Sequence, residues 1–118
     1  MNYVNFEVGN HNYKLRLNTR NIIDLEKKLG CNPLAVFGLG EVNTLPTITV
    51  LITIFHASLQ QYNHGITLND AYDIFDEWIN EGNSTTDFYG VVLDVYKISG
   101  LIPKGIDTVE EASVIEKN

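Results

Sequence analysis

The side chains able to do covalent or metal chemistry are few and scattered: Cys31 and the histidines His11, His56 and His64. Nucleophilic catalysis needs a nucleophile, a base and a group that orients the base, all brought together. Cys31 with His56 or His64 could supply the first two. Cys31, however, directly follows Gly30, which reads as a helix stop, and a small half-buried side chain is the simpler expectation there. The histidines lack the His-x-x-x-His spacing that sets two ligands on one helical face. A lone cysteine excludes an internal disulfide and a four-cysteine zinc site. Gly38-Leu39-Gly40 is only a fragment of a phosphate-binding loop, without the third glycine, the preceding parallel strand or a Walker lysine. No catalytic residue, metal ligand or cofactor is therefore expected.

Carboxylates carry more of the chemistry. If residues 68–81 are helical, Asp70, Asp73, Glu77, Asn80 and Glu81 occupy one arc of about 100°. No Lys or Arg lies between Ile66 and Tyr96 to neutralise them. Like charges four residues apart destabilise a helix by about 0.2–0.5 kcal/mol a pair, so the arrangement is unfavourable unless used. A solvated outer face is the simpler reading, and a docking strip for a basic partner is the functional one. The spacing Asp70-x-x-Asp73-x-x-Asp76 is helical, not that of an EF-hand loop with its central glycine.

These residues need a scaffold. Val4, Phe6 and Val8 alternate with polar residues, and after Gly9-Asn10 the alternation resumes at Tyr13, Leu15 and Leu17, which predicts a β-hairpin. A Gly9-Asn10 loop pairs Phe6 with Tyr13 and Val4 with Leu15. An Asn10-His11 loop keeps the same faces and pairs Glu7 with Lys14, so the pattern leaves the register open. From Thr19 the spacing becomes helical through Ile22, Leu25 and Leu29, with Lys27 and Lys28 in the last turn and Gly30 as the stop. A short helical turn is read at 34–37, then a loop through Gly38, Gly40 and Asn43, with Pro46 in the first turn of the next helix.

Residues 46–62 pull two ways. Seven β-branched residues between Thr47 and Ile54 favour a strand. Ile48, Leu51, Ile52, Phe55, Leu59 and Tyr62 nonetheless share about 100° of a helical wheel, and that pattern holds for four turns, which predicts a helix. Val50, Ile54 and Ala57 lie opposite this stripe. A helix apolar on two sides is either the central, most buried one or a self-association surface, so Val50 and Ile54 join the five polar residues as partner-binding candidates.

Thr67-Leu68-Asn69-Asp70 and Ser84-Thr85-Thr86-Asp87 both read as capping boxes. The first opens a helix with Leu68, Ala71, Tyr72, Phe75, Trp78 and Ile79 on one side, stopped at Gly82. The second opens one with Phe88, Val91, Val92, Val95 and Tyr96, stopped at Gly100. Phe55 and Trp78 are expected in the core. The predicted fold is α+β: an N-terminal hairpin packed on about four helices, in a single domain over residues 1–105, with 106–118 a flexible acidic tail.

The whole chain has 118 residues and a formal charge of −7. Residues 1–31 carry +2 and residues 32–118 carry −9. An acidic excess repels nucleic-acid phosphates and anionic membranes, so neither is an expected partner. The stretch from Ile48 to Leu59 is shorter than the roughly 20 apolar residues of a membrane span. The first residues lack the basic and apolar segments of a signal peptide, which leads to an expectation of a soluble, intracellular protein.

The order of elements carries a resemblance. The hairpin ending Tyr13-Lys14-Leu15-Arg16-Leu17 is followed by the helix Asn21-Ile22-Ile23-Asp24-Leu25-Glu26-Lys27-Lys28-Leu29-Gly30 and then Asn32-Pro33-Leu34. A central apolar helix precedes the Ile66-Thr67-Leu68-Asn69-Asp70-Ala71-Tyr72 start of an acidic helix ending Glu81-Gly82. Over roughly residues 3–100 this order resembles the tail assembly chaperones of long-tailed bacteriophages and prophages. The resemblance implies a non-enzymatic protein of the host bacterial cytoplasm that binds the tape-measure protein and keeps its apolar helices soluble while the tail tube assembles. The tail-tube protein and further copies of the chain are the other partners it implies. It also implies a longer frameshifted product, for which residues 106–118 would be the linker. Two rival classes stay open: an acidic inhibitor mimicking nucleic acid, and a small enzyme using Cys31.

Overall fold

A computed structural model describes residues 2–37 and 45–105. The loop read through Gly38, Gly40 and Asn43 and the tail at 106–118 lie outside the described residues. The element order is β1 (Val4–Val8), β2 (His11–Leu15), α1 (Thr19–Leu29), a 3-10 turn (Pro33–Phe37), α2 (Ile48–Leu59), α3 (Leu68–Asn80) and α4 (Thr85–Ile98). This is the α+β hairpin-and-four-helix architecture.

In the hairpin, Val8 pairs with His11, Phe6 with Tyr13 and Val4 with Leu15. The loop is therefore Gly9-Asn10, and the alternative that pairs Glu7 with Lys14 is not adopted. Gly9 has φ 58°, a left-handed conformation that most side chains avoid. Phe6, Val8, Leu15 and Leu17 are buried, while the outer face holds Asn5, Glu7, Asn12 and Lys14 in solvent. A two-stranded ribbon is marginal alone, and here the helices cover its apolar face. The Arg16 N–H donates to the Ser58 carbonyl at 2.9 Å, and the Leu17 N–H donates to Ser99 Oγ at 2.9 Å, tying the end of the hairpin to α2 and to the end of α4.

Local signals set the helix ends. Asn18 and Asn21 form a capping box on α1, and Gly30 closes it with φ 71° and an N–H bond to the Glu26 carbonyl at 2.8 Å. Thr67 with Asp70 and Ser84 with Asp87 cap α3 and α4 as the spacing predicts. The 3-10 turn follows Asn32, whose Oδ1 accepts from the Leu34 N–H at 2.9 Å.

Burial decides α2. Seven of its twelve residues are buried, and it touches α1, α3, α4 and β2, so it is the central helix. Packing on all these sides outweighs the β preference of its branched side chains. Two details differ from the pattern. Pro46 precedes the cap Thr47 instead of entering the first turn, because the Thr47 hydroxyl takes the Val50 N–H at 3.2 Å. The helix also ends at Leu59, so Tyr62 leaves the stripe and lies half out in solvent, edge-on to Tyr3 at 5.5 Å.

Rings from four elements meet at the centre. Phe6 of β1, Phe55 of α2, Phe75 and Trp78 of α3 and Phe88 of α4 stand with centroids 5.0–6.4 Å apart, mostly tilted or edge-to-face. Phe55 and Trp78 are core residues, Trp78 only 7% exposed. On another flank the buried Tyr96 hydroxyl donates to the Pro33 carbonyl at 2.9 Å, and burial pushes its pKa up.

Candidate functional site

The acidic helix α3 has two flanks with different neighbours. On one it meets the hairpin. The Gly9 N–H donates to Glu81 Oε2 at 2.6 Å, and a side chain added at Gly9 would come within 2.9 Å of Glu77 Oε1. Burial, and then the charges of Glu77 and Asp70, raise the pKa of Tyr13, whose ring stacks with His11 at 4.7 Å. At the start of α3, Asp70 Oδ2 accepts from the Thr67 N–H at 2.9 Å and Thr67 Oγ1 accepts from the Asp70 N–H at 3.0 Å. The Thr67 backbone and side-chain bonds hold the Asp70 carboxyl below its usual range. All five polar candidates are exposed; of these, Glu81 and Asp70 also make hydrogen bonds within the fold.

The apolar candidates do not form a surface. Ile54 is 1% exposed, inside the core, and Val50 is half-buried against it. Their face is what makes α2 central. Solvent-facing apolar surface lies elsewhere, where Ile48 (54% exposed), Leu68 (42%) and Tyr72 (46%) rim a groove between α2 and α3. Those three had been expected in buried stripes. Tyr72 lies at the margin of its arc, whereas Ile48 and Leu68 are the first residues of α2 and α3, and no further element covers these positions among the described residues. The groove encloses about 470 Å³, with Phe75 and Ile52 beneath it and Asp76 in its wall. On α3 its lining follows the i, i+4, i+8 line Leu68, Tyr72, Asp76. Thr49 and Thr53 line the α2 side, and the Thr53 hydroxyl is already bonded to the Thr49 carbonyl at 2.8 Å.

An adjoining hollow of about 230 Å³ is lined by Lys28, Thr53, His56 and Leu68. Burial, with the Lys28 charge adding to it, holds His56 below the usual imidazole range, against a backbone hydrogen bond at Ile66. The groove thus has one carboxylate, Asp76, in its α3 wall, and Lys28 in the hollow that shares Thr53 and Leu68 with it.

Cys31 is exposed, not half-buried. His11 sits on β2, His56 on α2 and His64 in the connection before α3. Among the described residues no three His, Cys, Asp or Glu side chains are grouped to hold a metal, and no helix is long and apolar enough to cross a membrane.

These features define a small α+β domain with a packed aromatic centre and an open, acid-walled apolar groove. The chain belongs to DUF6096, a family of unknown function, which it matches over residues 3–114. No curated protein and no solved structure matches it.

Proposed function

We propose that this protein is a tail assembly chaperone of a long-tailed bacteriophage or prophage. It works in the bacterial cytoplasm without catalysis, holding apolar helices of the tape-measure protein in solution until the tail tube forms around them. The reading starts from the order of elements in the sequence. The observation that carries it furthest is apolar surface held open at Ile48, Leu68 and Tyr72 beside Asp76. A chaperone that must let go needs adaptable, exchangeable contacts over a long partner more than one deep site.

Co-expression with the tape-measure protein tests the proposal. The chaperone reading expects the tape-measure protein to move into the soluble fraction and to co-purify with this chain. A tape-measure protein as insoluble as when made alone would refute it. A tail-tube gene before this one and a very long tape-measure gene after it would identify the partner to use.

A further inference from the structure

We infer that the groove between α2 and α3 is the docking site for an amphipathic helix whose apolar stripe is flanked by Lys or Arg on the side facing α3. The inference rests on the chaperone reading for the origin of that helix, as a tape-measure segment.

Shape selects a helix. Two packed helices leave a furrow between side-chain ridges spaced i, i+4, and Leu68–Tyr72 and Ile48–Ile52 are such ridges. From residue 68 to residue 76 the lining spans eight steps, about 12 Å of helix axis, which matches roughly two turns of a third helix. The walls are apolar apart from Asp76 and two threonines, and one of those threonine hydroxyls is satisfied inside α2. A helix brings its own backbone hydrogen bonds and has nothing to ask of such walls, whereas an added strand needs an open sheet edge.

Charge selects the flank. Asp76 stands in the wall and the exposed Asp73 lies three residues before it, while α3 carries no Lys or Arg at all. Lys28 lies outside the groove lining, in the hollow that shares Thr53 and Leu68 with it. A partner stripe flanked by carboxylates would meet like charge along α3. One flanked by Lys or Arg would meet opposite charge, and the −7 charge of the chain would speed its approach.

The test uses the full chain and a fluorescently labelled Leu/Lys amphipathic peptide of about four turns, with a Leu/Glu peptide of the same pattern as its counterpart. Binding of the Leu/Lys peptide is expected to saturate and to weaken with salt, with the Leu/Glu peptide failing to bind. The double variant Leu68→Ser/Tyr72→Ser should weaken binding at least about tenfold and Asp76→Asn about threefold, while Ile23→Ser on α1 changes nothing. Tyr72→Ser alone, which removes one exposed ring, serves if the double variant does not fold. Equal affinity for the groove variants, or equal binding of the Leu/Glu peptide, would overturn the inference. So would a dimer of the wild type that disappears in the Tyr72→Ser variant, because a second copy would then own the groove. The two proposals fail separately. If the groove variants solubilise the tape-measure protein as well as the wild type does, the groove assignment falls and the chaperone reading stands. If the peptide results hold but the wild type leaves the tape-measure protein insoluble, the reverse follows.

Discussion

Helix α3 is bordered by a closed flank and an open one, built from the same kinds of residue. Toward the hairpin, Glu81 holds the Gly9 N–H, Glu77 occupies the space a side chain at Gly9 would need, and Phe75 and Trp78 join the ring cluster that Phe6 brings from β1. Toward α2, Leu68 and Tyr72 stand in solvent over Phe75, with Asp76 beside them. On the closed flank Glu81 accepts a backbone N–H of the hairpin turn. Apolar groups on the open flank are left about half in solvent. Exposed leucine and tyrosine side by side at a groove mark a surface that gains by being covered.

The contrast can be broken at several points, with very different consequences. Phe55→Ala should have the largest effect. It removes a fully buried ring that meets Phe6, Phe75 and Phe88, and such truncations cost about 3–5 kcal/mol. Urea unfolding should show a midpoint far below the wild type, and an unchanged midpoint would remove the ring cluster from the core.

Gly9→Ala comes next. It forces a side chain into φ 58° and toward Glu77, whose flexible end can move away, so the backbone strain of about 1 kcal/mol dominates. Adding Glu77→Ala should therefore recover little of the loss, and full recovery would show that the clash had been the cause.

Asp70→Ala should cost less, and its effect should depend on pH. Because Asp70 titrates below its usual range in the fold, its contribution is present above that range and is lost as the pH falls through the lowered value. The stability gap between wild type and variant should close on acidification. A gap constant from neutral to acid pH would contradict the cap geometry. Leu68→Ser and Tyr72→Ser should be the mildest for stability, below about 1 kcal/mol, because nearly half of each residue is already in water.

How much of this the sequence discloses depends on range. Caps and stops are written in neighbouring residues, so Thr67 with Asp70, Ser84 with Asp87 and Gly30 could be placed directly. The helical period of α2 was legible through its β-branched residues because burial on several sides needs apolar groups all round. Hairpin register was not, since both loops bury the same faces. The bond from Gly9 to Glu81 joins residues 72 apart in sequence, and nothing local announces it. Nor could the groove be read. Periodicity gives the direction of an apolar face but not how far along or across it a neighbour reaches, so Ile48, Leu68 and Tyr72 look like core. Ile54 errs the other way, since an apolar back face proved to be buried.

Titration of the isotope-labelled protein with the Leu/Lys peptide, followed by backbone amide shifts, tests the difference between the flanks most directly. The account predicts that shifts cluster at residues 48–53 and 68–76, while Gly9 and Glu81 at the hairpin contact stay in place. Shifts centred on Gly9, His11, Tyr13 and Glu81, with Leu68 and Tyr72 unmoved, would contradict it.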